Sequence, residues 1–283
     1  MTPMPPSPTD ADAVPARYQG VWVRTLLETP EGRDTTTWVH WLQTTQWHAD
    51  LRVPADLDRS QPGGLAQQQG FCGLTRITPA QGNEAEVCTW QRWFDFQPPR
   101  STPDAGTMDF ETSERVIERG VHGNYLEVWE RLPESQGRRV VLERLGANGL
   151  VTDERLLIAG QCLMHVRPRS APWPSDLQPD ETLADVIQRH PSQSAALLDF
   201  EITFARLTGG PSGGQRVGQW EGQWEGQWVV ERSTLPTLEG QALCAEPRRT
   251  EAHTAHIAHT AHNAHTEHGR LAGDWRIVEW TQD

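Results

Sequence analysis

Tyr18-Gln19-Gly20-Val21-Trp22-Val23-Arg24-Thr25-Leu26-Leu27-Glu28 is the stretch on which the fold reading turns. It follows a Pro-, Ser- and Asp-rich start over residues 1–16, which reads as a disordered tail. Gly20-Val21-Trp22 opens the folded part, and Trp22 and Arg24, two apart, share one face of a strand. Beyond it run short segments rich in β-branched and aromatic residues, broken by Gly, Pro, Asn and Asp, the pattern of an all-β chain. Strands are predicted over 18–28, 36–44, 47–53, 68–78, 85–96, 106–112, 115–119, 125–132, 138–145, 155–167, 196–207, 227–233 and 275–281. One short helix is predicted after Asp180-Glu181-Thr182, with Leu183, Val186 and Ile187 at helical spacing and His190-Pro191 as its stop.

Tyr18-x-x-Val21-Trp22-x-Arg24 recurs as Tyr125-x-x-Val128-Trp129-x-Arg131, and these are the only two tyrosines of the chain. The echo leaves open a duplicated construction with halves over 17–120 and 121–283. Two low-complexity insertions lie near 209–226, a Gly-Gln-Trp-Glu repeat, and 247–270, where histidines recur every third residue from His253 to His268. Both read as expanded loops.

Near the C-terminus, Gly273-Asp274-Trp275-Arg276 pairs a Trp with an Arg on a predicted closing strand. A Gly-x-Trp first strand and an Arg-bearing last strand resemble the lipocalin, or calycin, pattern. The resemblance implies an antiparallel calycin-like β-barrel over 17–283, of about 10–13 strands, with Arg276 packed over Trp22 to close it. The order Asp50-Leu51-Arg52, then Gly70-Phe71-Cys72-Gly73, then Trp90-Gln91-Arg92-Trp93-Phe94-Asp95 is similar to a fungal family of lipocalin-like proteins reported to interact with casein-kinase-type kinases. That second resemblance covers residues 36–95 and implies a barrel without an activity.

Composition narrows the function. A formal charge of −13 argues against nucleic-acid binding, which needs a basic patch. No apolar run reaches the roughly 20 residues of a membrane-spanning helix, and residues 1–15 have no secretory-signal pattern, so a cytoplasmic protein without membrane partners is expected. All 25 basic residues are Arg, which removes lysine-based catalysis and any Walker-type phosphate loop. The spacing of Cys72, Cys88, Cys162 and Cys244 matches no zinc pattern, and buried thiols are expected. The His tract offers tag-like metal binding without active-site geometry. His40, His122 and His165 lie on separate segments, so neither a metal nor another cofactor is expected.

The candidate ligand-binding residues are Trp22 with Arg24, Trp90 with Arg92, Trp129, and the set His48, Asp50 and Arg52, which alternates with apolar Ala49, Leu51 and Val53. An Arg stacked on an indole inside a barrel needs an anion nearby, and Asp50, Asp95 and Glu127 are the candidates. Tyr125, Glu127 and Arg131 are the candidate catalytic residues, on one face with Trp129 and opposite Leu126, Val128 and Leu132. These residue types are similar to those inside lipocalin-like phenolic acid decarboxylases, although no motif matches. Turning this face inward predicts Glu127 buried beside an Arg. Three functions follow: a barrel binding a small, partly apolar ligand with a carboxylate or carbonyl; a cofactor-free lyase, decarboxylase or isomerase on such a ligand; or an interaction module with a filled barrel. A homodimer stays open.

Overall fold

The structure, a computed structural model, describes residues 13–82, 85–209, 227–243, 248–249 and 274–281. The Trp repeat before 227, most of the His-rich tract and Cys244 lie outside the described residues. Within them, the first sheet is built from β1 (Gly20–Thr29), β2 (Gly32–Asp34), β3 (Trp38–Gln43), β4 (Trp47–Val53), β5 (Gln69–Thr78), β6 (Val87–Asp95), β7 (Asp104–Thr112), β8 (Arg115–Gly120) and β9 (Leu126–Arg131). β1 pairs antiparallel with β3, each strand from β3 onward pairs antiparallel with the next, and β9 returns to pair with β1. The result is a closed eight-stranded antiparallel barrel, to which β2 adds only a short hairpin on β1. Closure leaves this sheet without a long open edge.

The second sheet follows in the chain: β10 (Arg139–Leu145), β11 (Val151–Ala159), β12 (Cys162–Arg167), β13 (Glu201–Thr208), β14 (Gln227–Ser233), β15 (Ala242–Leu243), β16 (Arg248–Arg249) and β17 (Asp274–Thr281). It too is antiparallel, apart from the short β16–β17 contact. The helices are short: α1 (Pro62–Leu65), α2 (Leu183–Arg189) and α3 (Ser194–Leu198). Thr182 and Asp185 form a capping box at the start of α2. The all-β reading therefore holds, with the strands shared between a barrel and a second sheet.

Alternation explains how the sheets meet. Leu42, Trp47, Ala49, Leu51, Cys72 and Leu74 point out of the barrel and pack on Leu157, Met164, Val166, Ile202 and Phe204 of the second sheet. His40 points the same way, stacked on Trp38 at 3.8 Å, and burial and nearby Arg206 hold its pKa at about 3. The opposite residues of the barrel strands point inward. At the closed end Val14, Tyr18, Trp22, Cys88, Met108 and Val116 form an apolar plug. Cys72 and Cys88 thus occupy opposite faces of the barrel wall, and with Cys162 they are free and buried.

Three sequence expectations need correction. The predicted strand 196–207 opens inside α3 (Ser194–Leu198), and only β13 (Glu201–Thr208) is extended. The stretch 155–167 is a hairpin, not one strand: Gly160 turns it with φ +56°, and a β-carbon there would collide with Glu134 O at 2.3 Å. The Arg over Trp22 is Arg131 of β9, 4.6 Å from the ring centroid. Arg276 lies on β17 and binds Glu143 of β10 in the second sheet. The strand that closes the barrel is therefore not the last strand of the chain. The two copies of the Tyr-Val-Trp-Arg echo are the neighbours that close the barrel, with Trp22 opposite Arg131 and Arg24 opposite Trp129.

This geometry separates two arginine deletions. Arg131→Ala uncovers Trp22 and removes packing at the floor, and should lower stability by about 1–3 kcal/mol. Arg276→Ala leaves Glu143 paired with buried Arg155 at 3.2 Å and should cost only about 0–1 kcal/mol. Urea unfolding midpoints check the ranking, and the reverse order would contradict the assignment of the closing strand.

Candidate functional site

Above the plug the barrel is not filled. A cavity of about 360 Å³ lies between a ring of aromatic side chains, Trp41, Phe71, Trp90 and Trp129, and a mouth bordered by Thr29, Thr37, Pro54, Gln69 and Arg100. The Trp residues sit edge to face, Trp41 with Trp90 at 5.4 Å and with Trp129 at 5.8 Å. Polar side chains form the walls. Arg24 Nη1 donates to Glu127 Oε1 at 2.6 Å and Arg24 Nη2 to Asp34 Oδ2 at 2.9 Å. Arg52 Nε donates to Asp50 Oδ1 at 2.8 Å, and its Nη1 lies 3.6 Å from Glu127 Oε1. Arg92 donates to Asp95 and Asp104 and lies 3.5 Å from the centroid of Phe71.

Glu127 is 3 % exposed and held by two arginines, as expected for an inward-facing Tyr125/Glu127/Trp129 set. Directly across the β8–β9 pair stands Glu118, also 3 % exposed. Tyr125 Oη donates to Glu118 Oε1 at 2.8 Å and Trp129 Nε1 to Glu118 Oε2 at 3.0 Å. Burial raises the Glu118 pKa well above the carboxylate range, and the charges of Glu127 and Asp104 add to it, against Tyr125 and Arg52. Burial raises Tyr125 as well, helped by Glu118 and Asp104. Burial would raise Asp104 too, but Arg92 and Arg52 outweigh it and keep that carboxylate low. The same contest at Arg52 is won by Asp50 and Glu127, which lift its pKa against desolvation.

The glycines opposite this corner are part of it. A β-carbon on Gly106 would lie 2.6 Å from Glu118 Cγ, and one on Gly120 would lie 2.3 Å from Tyr125 Cε1. Gly106 and Gly120 are cross-strand partners, so the wall is thinned where these two side chains are seated.

Of the sequence candidates, Arg24, Asp50, Arg52, Trp90, Arg92, Tyr125, Glu127 and Trp129 line the cavity. Trp22 lies below it in the plug, and Arg131 covers Trp22 at the closed end. His48 is buried beside Phe71, its Nδ1 3.1 Å from Thr75 Oγ1, and burial with the charge of Arg92 holds its pKa at about 3. Glu118, Asp104, Asp34, Trp41, Phe71 and Arg100 complete the wall without having been singled out from sequence. The cross-strand pairs Trp41–Asp50 and Glu118–Glu127 carry the missing information, since each places the residue on the face of a partner already read as inward. No pattern marks Arg100, which sits in the Pro-rich segment between β6 and β7.

Two groups are unspent. Trp41 Nε1 is buried and has no hydrogen-bond partner among the described residues, in a side chain 1 % exposed on the cavity wall. Arg100 is exposed at the mouth, and among the described residues no carboxylate lies in ion-pair contact with it; partial desolvation and the charge of Arg92 lower its pKa. Outward from the mouth, Trp90, Arg92, Arg100, Asp104 and Tyr125 also border a wider groove walled by Trp93, His122, Pro168 and Trp173. Among the described residues no group of His, Cys, Asp and Glu is arranged to hold a metal ion.

No protein-family model and no curated protein matches the chain. Among solved structures, that of an uncharacterised protein, YLR301w, from Saccharomyces cerevisiae aligns over 76 % of this chain and 98 % of its own, with a TM-score of 0.47 and 12 % identity.

The Glu118 environment fixes the sign of a pH effect. An unfolded glutamate releases its proton near pH ~4.3, whereas folded Glu118 keeps it to higher pH. Folding then takes up a proton above that point, so the contribution of Glu118 to stability declines as pH rises from about 4 toward its folded pKa. Glu118→Gln removes this cost, and the Tyr125 hydroxyl is free to turn and accept from the new amide. The variant should melt higher than wild type at pH 7 and match it near pH 4. A thermal-melt advantage that grows on acidification would contradict the protonated state.

Proposed function

We propose that the barrel is a receptor for a small, partly apolar molecule carrying a carboxylate or carbonyl group. The observation that carries this reading is the Trp41 indole N–H, buried at the cavity wall with no acceptor. A buried donor left unpaired costs about 1–3 kcal/mol, and an acceptor atom on a ligand removes that cost. Arg100 supplies a second unpaired donor at the mouth, whereas Arg24, Arg52 and Arg92 already hold carboxylates. The aromatic ring Trp41, Phe71, Trp90 and Trp129 offers faces and edges to an apolar body. The volume, at the small end of ligand pockets, suits a compact ligand and speaks for a receptor over a filled interaction module.

The lipocalin resemblance supports the same reading. The barrel is an eight-stranded meander whose first strand carries Trp22 beneath an Arg of its last strand, the relation that resemblance implies. A catalytic role is the second reading, favoured by the facing pair Glu118 and Glu127.

Isothermal titration with 1-naphthoate, and with naphthalene as its uncharged counterpart, tests the receptor reading. Saturable binding of 1-naphthoate is expected, weakened by about tenfold in Trp41→Phe and in Arg100→Ala, the loss of roughly one hydrogen bond to a charged group. Equal affinity in both variants, or no saturable binding, would overturn it.

A further inference from the structure

We infer that the Glu118–Glu127 corner of the cavity is a proton-transfer site, with Glu118 as general acid and Glu127 as general base, acting on a carbonyl compound that has an enolisable C–H. This deepens the receptor reading and rests on it. Two carboxyl groups stand directly opposite each other on β8 and β9, inside the barrel, where a like-charged pair is destabilising. The surroundings treat them differently. Both arginine contacts of Glu127, from Arg24 and Arg52, fall on Oε1, and Oε2 takes no hydrogen bond. Among the described residues, no guanidinium comes within ion-pair distance of Glu118, which receives only the neutral donors Tyr125 Oη and Trp129 Nε1. Two guanidiniums sit on Glu127, while burial and the neighbouring Glu127 carboxylate raise the pKa of Glu118. Facing carboxyl groups in such unlike surroundings, one held by guanidiniums and the other by neutral donors, are the arrangement that acid/base chemistry uses.

The corner is also built, not incidental. Gly106 and Gly120 face Glu118 and Tyr125, and a β-carbon on either would strike them. Both carboxyl groups and Tyr125 line the same cavity as the unpaired Trp41 N–H.

The step balances without a co-reactant. Glu127 takes the proton from the carbon beside the carbonyl, and the C–H electron pair becomes the C=C bond of the enol. The carbonyl π pair moves onto oxygen, which takes the Glu118 proton. Glu127 is then protonated and Glu118 ionised, and one proton passing from Glu127 to its cross-strand neighbour restores the starting state. The net reaction is a tautomerisation, and its reverse in D₂O places deuterium on carbon.

Phenylpyruvate is a suitable probe: it is small, partly apolar, carboxylated and enolisable. Deuterium incorporation at its methylene carbon is followed by proton NMR in D₂O, and binding by calorimetry on the same samples. Wild type should exceed the buffer-catalysed rate by about 100-fold or more, the usual scale of general acid–base catalysis. Glu118→Gln should lose at least about tenfold of that rate with affinity held within about threefold, and Glu127→Gln should lose the rate entirely if it folds. Glu118→Gln is the deciding variant because it is expected to be at least as stable as wild type. Phenylpyruvate bound without acceleration, a Glu118→Gln rate equal to wild type, or phenylpyruvate unbound by a protein that binds 1-naphthoate would each overturn the proton-transfer inference alone. Failure to bind either probe would overturn the receptor reading beneath it.

Discussion

Pairing each guanidinium that enters the barrel is the constraint on which the rest of the structure depends. With arginine as the chain's only basic residue apart from histidine, every permanent side-chain cation brought inside is planar and multidentate. A charge of that kind in a closed barrel needs an anion and further acceptors, because removing its partner leaves an uncompensated charge at a cost of about 3–5 kcal/mol. Arg24, Arg52 and Arg92 meet the demand with Glu127, Asp50 and Asp104, drawn from β1, β4, β6, β7 and β9. Through Glu127, which both Arg24 and Arg52 approach, the ion pairs tie β9 to β1 and β4, strands far apart in sequence. They also set the polarity of the barrel axis, charged toward the mouth and apolar toward the plug.

That division has a functional consequence. The lower half, from Tyr18 and Trp22 to Met108 and Val116, is packed like any core and anchors the closure through Arg131 over Trp22. The upper half is organised by directional bonds, which hold side chains apart instead of letting them collapse into one another. A cavity survives between them, and its remaining unpaired donors, Trp41 Nε1 and the Arg100 guanidinium, define what it lacks: an acceptor. The second sheet bears on the outside of the same wall, through Leu51, Cys72, Met164 and Phe204, and so stiffens β3, β4 and β5 without entering the cavity.

Much of this was legible from local sequence because a strand has a period of two. The alternation of Tyr125, Glu127 and Trp129 with Leu126 and Val128 separates two faces, and the lipocalin-like register of Gly20-Val21-Trp22 chose the inward one; Arg24, Asp50, Arg52, Trp90 and Arg92 also lie on the cavity wall. What escaped was non-local. Which strand closes on β1 is decided by a long-range pairing, and both Arg131 and Arg276 lie two or fewer residues from a Trp, so spacing alone does not choose between them. Glu118 depends on the register of the β8–β9 hairpin, and a shift by one residue would have turned it outward. Arg100 is positioned by an irregular Pro-rich segment that has no period to read. The hairpin turn at Gly160 was hidden because the flanking residues, Leu156 to Ile158 and Leu163 to Val166, are buried on both faces and read as one apolar run.

The central claim is that the upper barrel is an accessible cavity short of an acceptor. Native mass spectrometry of the protein purified from its natural host tests it most directly. The account predicts a non-covalent small-molecule adduct that denaturation releases and that Trp41→Phe with Arg100→Ala depletes. An adduct retained unchanged in that double variant, or wild-type protein that carries none and takes up none when incubated with a host metabolite extract, would contradict it.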